Sequence, residues 1–433
     1  MPSQSKLQIS PMAKVQGSDT SNYLLLKKDL ETKKRLSKTE SETKSKKPLI
    51  EWDYKNPKNY YKTNHGKGIG YAKLPKVCKV ITDNPTFARL RYIKQLGAVF
   101  YIYPEATHTR HAHSLGTAHL ACELVKILQE QLPEESKMTG AEMLCVIIAA
   151  LSHDLGHAAF SHLCEEFLIQ SDGTKLTHEQ MSVLLFDKIL IDDDKVRNRL
   201  ERYLNEDHFN LIKELINPPP FPDNSIPENL LSKKTFLYAI VNNPISGIDV
   251  DKLDYLLRDC VRTGVVGITQ TDIGKFLATV RICDDPCKKF KWLAFPVTES
   301  KMISAFLKQR QYNHKVAYSH KNVLAINEML RKAIKLALPI HTLPRDEETN
   351  LKLQDCFKKE NLDIHLYKPI FVYEKLNTRF PCLEEDEIKG ALVQCTLSSA
   401  FVDDLIVVRK DFHGGRGFNI DPMNNVLFFF KYR

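Results

Sequence analysis

The sequence predicts a mainly α-helical fold with a small α+β lobe at its C-terminal end. Three observations carry that expectation. Between Phe87 and Leu338 the apolar residues recur every three or four positions, the spacing of one helix face. Two capping-box patterns, Thr139-Gly140-Ala141-Glu142 and Thr177-His178-Glu179-Gln180, stand immediately before such apolar series. After Pro339 the character changes to charged runs alternating with short β-rich pieces, Ile370-Phe371-Val372-Tyr373 and Val426-Leu427-Phe428-Phe429-Phe430.

The elements follow in order. Residues 1–50 hold eleven Lys/Arg against five Asp/Glu, so +6 of the net charge of +9 sits there. This stretch is rich in Ser, Thr and Lys with little periodic hydrophobicity, the composition of a disordered basic tail. Its runs Lys33-Lys34-Arg35 and Lys44-Ser45-Lys46-Lys47 suit a nuclear import signal, a weak contact with single-stranded nucleic acid, or a solvated arm without a partner. Residues 51–338 form the helical domain. His113 precedes Leu120, Leu124 and Leu128 and lies on the inward side of its helix. The helix opened by Thr139 carries Leu144, Ile147, Ile148 and Leu151 on one face and ends at His153-Asp154. Pro218-Pro219-Pro220 and Phe221-Pro222 interrupt the middle, and a long helix is expected from about Glu299 to Leu338. Residues 339–433 make the smaller lobe. The longest apolar stretch, Met143 to Leu151, is too short to span a bilayer, so no membrane is expected. Ten cysteines without a CxxC pair suit reduced thiols of the nucleus or cytoplasm.

The chemistry concentrates at Leu151-Ser152-His153-Asp154-Leu155-Gly156-His157. An adjacent His and Asp can bind one divalent cation through an imidazole nitrogen and a carboxylate oxygen. The doublet alone is common. His113 lies 40 residues before it and Asp251 lies 97 after Asp154, and His157, His162 and His178 follow within 25 residues of the doublet. Two histidines and two carboxylates leave a divalent ion with open positions, where a bound water has its pKa lowered to as little as ~7. Such a ligand set suits Fe, Zn, Mn, Mg or Co. Arg110 and Lys252 are placed to bring positive charge to a phosphate. Asp251, Tyr255 and Asp259 recur at i, i+4 and i+8 and share one helix face; Arg310, His314 and Tyr318 repeat that spacing later. The bland readings are specific too. A lone buried histidine is usually a hydrogen-bonded core residue, Asp259 can pair with Arg258 or Arg262 at the surface, and Arg310 can be a solvated helix charge.

The pattern His113…His153-Asp154…Asp251 resembles that of HD-domain phosphohydrolases. Its context is similar to the animal SAM-and-HD-domain deoxynucleoside triphosphate triphosphohydrolases. The runs that carry the resemblance are Phe87 to Gly97, His113-Ser114-Leu115-Gly116, His153 to His157, Phe160-Ser161-His162, Thr177 to Gln180 and Gly247 to Lys252. The resemblance implies hydrolysis of a dNTP to a deoxynucleoside and inorganic triphosphate. It implies His113, His153, Asp154 and Asp251 as metal ligands, and His178 as general acid with Glu179 beside it. Arg110, His157, His162, Lys252 and Arg310 become phosphate contacts. Gln95, Leu96, Tyr255 and Asp259 become sugar contacts, and Tyr318 flanks the base. Asp83 and Arg91 are retained where the family binds a regulatory GTP or dNTP, and a homo-oligomer, dimer or tetramer, is implied.

The departures concern regulation more than catalysis. No SAM domain precedes the HD region. Thr63-Asn64-His65-Gly66-Lys67-Gly68-Ile69-Gly70 replaces a family segment of different sequence, and Ala88 stands in place of a glutamine. Met302 and Ser319 replace polar residues, Glu165 replaces an aspartate, and the C-terminal region is short. Two other readings therefore stand beside the first. One is an HD-domain hydrolase of another nucleotide or phosphoester; the other is a nucleotide- or nucleic-acid-binding regulator with little turnover.

Overall fold

The computed structural model describes residues 48–65, 69–158, 160–167, 175–219, 234–265, 267–284, 291–337, 342–344 and 350–352. The basic tail, most of the Pro218–Pro222 interruption and the two β-rich pieces of the expected C-terminal lobe lie outside these residues.

The described part is mainly helical. A hairpin of β1 (Tyr60–Asn64) and β2 (Tyr71–Pro75) comes first, paired antiparallel from Tyr60 opposite Pro75 to Asn64 opposite Tyr71. The principal helices follow: α1 (Arg110–Gln131), α2 (Gly140–Ser152), α3 (His178–Asp192), α4 (Glu206–Ile216), α5 (Val250–Thr263) and α6 (Gln270–Thr279). A second hairpin, β3 (Arg281–Asp284) and β4 (Lys291–Ala294), leads to α7 (Ser300–Asn313) and α8 (Lys321–Ala337). A last pair, β5 (Thr342–Pro344) and β6 (Asn350–Lys352), is antiparallel.

The core is organised by α2. Every residue of this helix except Glu142 is buried, so it is apolar on all sides and has neighbours on all sides. It packs chiefly on α1 and α4, and α1 in turn packs on α5 and β2. Both capping boxes form: Thr139 and Glu142 exchange hydrogen bonds at the start of α2, and Thr177 and Gln180 do so at the start of α3. Helix α5 is capped by Asp249, whose carboxylate accepts from the Lys252 backbone N–H, and ends at Gly264 in the left-handed region.

Two expectations need correction. The helix expected from Glu299 to Leu338 is two helices, separated by a π turn over His314–Tyr318 in which the Ser319 N–H donates to the His314 carbonyl at 2.8 Å. The Tyr103 hydroxyl donates to the Val316 carbonyl, and Ala317 and Val323 pack on Val99 and Ala106. Tertiary contacts hold that break, so the periodicity of the segment does not reveal it. The two hairpins inside the helical domain were not expected, because their strands of four or five residues show no clean alternation.

Candidate functional site

The site begins at the C-terminal end of α2. His153 is the C-cap residue of that helix, and the chain turns sharply over Asp154 to His157. The turn is pinned from two sides. On α3, Ser182 Oγ donates to the His153 carbonyl at 2.5 Å and accepts from the Gly156 N–H at 2.7 Å. The guanidinium of Arg89, 1% exposed, donates to the carbonyls of His157 and Leu155. Gly156 is needed for the close approach: a Cβ there would lie 2.1 Å from the His178 carbonyl oxygen. The glycine therefore lets the first residue of α3 reach the His153-Asp154 turn.

Four candidate ligands converge. His113 Nε2 is 2.9 Å from Asp251 Oδ1, 3.2 Å from His153 Nε2 and 3.6 Å from Asp154 Oδ2. His153 Nε2 is 3.4 Å from both Asp154 Oδ1 and Asp251 Oδ1. The other nitrogen of each imidazole is occupied. His153 Nδ1 donates to the Ala150 carbonyl at 2.8 Å, and His113 Nδ1 donates to Asp254 Oδ2 at 2.8 Å. Asp254 is itself gripped by both ends of the buried Arg258 guanidinium, at 2.9 and 2.8 Å. These bonds place the Nδ1 protons away from the cluster and turn both Nε2 atoms toward the carboxylates, the arrangement a metal-binding histidine requires. Gly116 makes room for the grip, since a Cβ there would sit 1.9 Å from Asp254 Oδ1.

The electrostatics fit a cation. Burial opposes a charge on His113, but Asp251 and Asp254 outweigh it and hold the ring's proton up to about 10. Burial likewise opposes the charge of Asp154, yet Arg110, His153 and His157 keep its carboxyl well below the usual carboxylate range. The cluster is a nest of negative charge in which protons stand where a divalent ion would bind, and metal binding releases them. Two imidazole nitrogens and carboxylate oxygens form a donor set able to hold a metal.

These ligands lie at one end of a cleft of about 570 Å³, within the usual range for a small-molecule site. His153, Asp154 and Asp251 line it, while His113 is fully buried behind them. Arg110, His157, His162, His178, Glu179, Lys252, Tyr255, Asp259, Arg310 and Tyr318 all line the cleft, as do Gln95 and Leu96. Asp83 and Arg91 do not; both are exposed elsewhere. The shared face of Asp251, Tyr255 and Asp259 on α5 points into the cleft. Asp259 is 1% exposed and does not pair with Arg258 or Arg262. His108 Nε2 donates to its Oδ1 at 2.7 Å, and the Tyr318 hydroxyl donates to its Oδ2. Arg310 is exposed, and its Nε donates to the Tyr255 hydroxyl at 3.2 Å. Arg110 donates to Asp154 Oδ2 at 2.8 Å and to Ser161 Oγ at 3.0 Å, and Lys252 pairs with Asp249 at 2.7 Å.

Residues 110–259 match the HD domain family. The two ends of that match, Arg110 and Asp259, are both wall residues of the cleft, so the matched segment contains the entire ligand cluster. The chain is also similar to deoxynucleoside triphosphate triphosphohydrolase SAMHD1 from Homo sapiens, 41% identical over 50% of this chain and 35% of that protein. The Mus musculus SAMHD1 is 37% identical over 75% of this chain and 51% of that protein. A SAMHD1 homolog from Dictyostelium discoideum is 31% identical over 65% of this chain and 51% of its own length. The chain thus spans about a third to a half of these relatives.

Several neighbours of this ligand cluster have contacts that the sequence reading did not assign. Glu165 is a hub: its Oε1 lies 2.7 Å from His162 Nδ1, 2.9 Å from His178 Nδ1 and 3.4 Å from His157 Nδ1. The His157 and His178 rings stack at 4.2 Å. Phe160 and Ser161 both have φ near +55°, a strained conformation for residues with a Cβ, and it aims Ser161 Oγ at the Lys94 carbonyl and Arg110. Asp254 and Arg258 were legible in principle as an i, i+4 pair on α5. His108 carried no local signal, and Glu165 was noted only as standing in place of an aspartate. Asn327 and Arg331 of α8 close the far wall.

Proposed function

We propose that the chain hydrolyses deoxynucleoside triphosphates to a deoxynucleoside and inorganic triphosphate, with a divalent metal at His113, His153, Asp154 and Asp251. The observation that carries this is one cleft with two chemically different ends. At one end are the metal-binding donors and a cluster of histidines; at the other is an aromatic and carboxylate wall made by Tyr255, Asp259 and Tyr318. Such a cleft suits a phosphate chain and a sugar in tandem. The similarity to proteins named as dNTP triphosphohydrolases supports the substrate class.

A bound divalent ion would supply Lewis acidity toward a phosphoryl oxygen and lower the pKa of a water held there. The other roles belong to this chain's side chains. Cleaving the bond between the α-phosphorus and the 5′-oxygen leaves an alkoxide that needs a proton. His178 is assigned as its donor. Burial opposes a charge on this ring, but Glu165, Glu179 and Asp154 raise its affinity for a proton above the ordinary histidine value, the direction a proton donor needs. Glu165 also receives the His162 proton at 2.7 Å and couples the two rings. Arg110, Arg310 and Lys252, with His157 and His162, are assigned to the phosphate oxygens; Glu179 steadies His178. The Asp259 carboxylate, fixed by His108 and Tyr318, is assigned to a 3′-hydroxyl. Tyr255, with Gln95 and Leu96, forms the face on which a 2′-hydroxyl lacks a place, and Tyr318 flanks the base. Regulation by a nucleotide at Asp83 and Arg91, and assembly into dimers or tetramers, belong to the same reading.

The test is ion-exchange analysis of products after incubation with each dNTP and Mg²⁺ or Mn²⁺, with and without GTP, beside Asp251→Ala. Inorganic triphosphate and deoxynucleoside from the unaltered chain only are expected. Absence of triphosphate under every condition refutes the proposal. Release of another product, such as pyrophosphate, moves the reading to a different phosphoester hydrolase.

A further inference from the structure

We propose that His157, His162, His178 and Glu165 form a second transition-metal site beside the HD centre, of zinc type, whose occupation silences the enzyme. Three imidazoles and one carboxylate are a common zinc donor set, and their ligand atoms lie within 4.8 Å of one another. The donors are already close to the spacing a tetrahedral ion imposes. With zinc–nitrogen distances of about 2.0–2.1 Å, the edges of such a tetrahedron are about 3.3 Å long. The three histidine Nδ1 atoms stand 2.7, 2.9 and 3.4 Å from Glu165 Oε1, near that edge length.

Hydrogen bonding alone leaves this cluster incomplete. Glu165 Oε1 accepts from two rings, His162 and His178, and the third is left over. His157 is 0% exposed; its Nε2 stands 3.3 Å from Asp154 Oδ1, while its Nδ1 has no hydrogen-bond partner. A buried polar atom without a partner is destabilising. A cation among the four donors would engage the His157 Nδ1 lone pair, and its Nε2–H would then face Asp154 Oδ1 at 3.3 Å, the outer hydrogen bond typical of a ligating histidine. Access is open, because the His162 side chain is 66% exposed at the cleft wall. The HD ligands are not borrowed: His113, His153 and Asp251 take no part.

The site's consequence rests on the triphosphohydrolase reading. Coordination of His178 through Nδ1 replaces its hydrogen bond to Glu165 and removes the charge that makes the ring an acid. Zinc is therefore expected to inhibit at the second equivalent, while the first fills the HD centre.

The test uses the full chain, stripped of metal and dialysed against Zn²⁺, with bound metal counted by mass spectrometry. Two equivalents per chain are expected for the unaltered protein. One is expected for Glu165→Gln combined with His162→Ala, and one for Asp251→Ala. One equivalent in the unaltered chain, or two retained by the double variant, overturns the proposal. Titration of the unaltered chain with Co²⁺ decides independently of variant folding: a second step with the intense visible absorption of tetrahedral cobalt is expected, and a single step refutes the site. With Mn²⁺ first in the HD centre, a single equivalent of Zn²⁺ should lower triphosphate release by tenfold or more. A chain that binds two zinc ions but never releases triphosphate keeps the site and refutes only the catalytic reading.

Discussion

Replacing Asp254 by Asn separates what holds His113 in place from what His113 does. The carboxylate accepts from His113 Nδ1 at 2.8 Å and from Arg258 at 2.9 and 2.8 Å, with all three groups buried. An amide in its place is neutral, and its NH₂ can be turned toward His113 Nδ1, which favours the tautomer with the proton on Nε2. That proton occupies the metal-facing lone pair. Loss of such an outer partner costs roughly 10–100-fold in metal affinity, or about 1.4–2.7 kcal/mol. A second effect comes with it. Arg258, 1% exposed, loses its counter-ion, and stranding a buried charge costs about 3–5 kcal/mol of stability. The two effects read out differently: thermal unfolding reports the second, and equilibrium dialysis with Mn²⁺ at a temperature where the variant is folded reports the first. Asp254→Asn combined with Arg258→Met should recover part of the stability and none of the metal affinity. Unchanged metal affinity in a folded Asp254→Asn chain would refute the tautomer argument, and recovery by the double variant would show that Arg258, not His113, carries the effect.

Other expectations follow from the same geometry. His178→Ala should retain metal and nucleotide binding while kcat falls by roughly 10²–10⁴, the usual worth of a general acid; near-normal turnover would transfer that role to His162. Asp259→Ala should weaken the preference for dNTP over NTP, read from kcat/KM for a matched pair, and an unchanged ratio would remove Asp259 from the sugar site. Gly156→Ala puts a Cβ about where the His178 carbonyl lies, 2.1 Å away. It should lower kcat more than it alters metal content, since α3 must retreat while the ligands stay; loss of metal with kcat per bound metal unchanged would count against this account. Asp251→Ala should lose bound metal and turnover together, and turnover persisting without metal would reject the ligand set.

Much of the site was readable because its logic is local. His153 and Asp154 adjoin, Asp251, Tyr255 and Asp259 repeat every four residues, and the capping boxes that start α2 and α3 are three-residue relations. Spacing of this kind survives in a linear string, since helix geometry converts it into a shared face. The α7–α8 break at His314–Tyr318 was not readable: its flanks carry ordinary helical periodicity, and what ends α7 is a contact with Tyr103 and the small cluster under Val323. No match of the HD domain to residues 110–259 bears on the hairpins outside it, β1–β2 and β3–β4, whose pairing depends on neighbours rather than on pattern.

By itself the sequence singled out the candidates for metal-binding and acid–base chemistry, and indicated that helices present several of them, because those depend on residue type and on offsets of one to eight positions. Tertiary structure alone decided how each is held. The Asp254–Arg258 grip on His113, the His108 bond to Asp259, the Glu165 hub among three histidines and the close approach that Gly156 permits join residues that no helical repeat connects, or join them at distances only packing can set. Hydrogen bonds act over about 3 Å, and only the folded chain brings positions 113 and 254, or 108 and 259, within that reach.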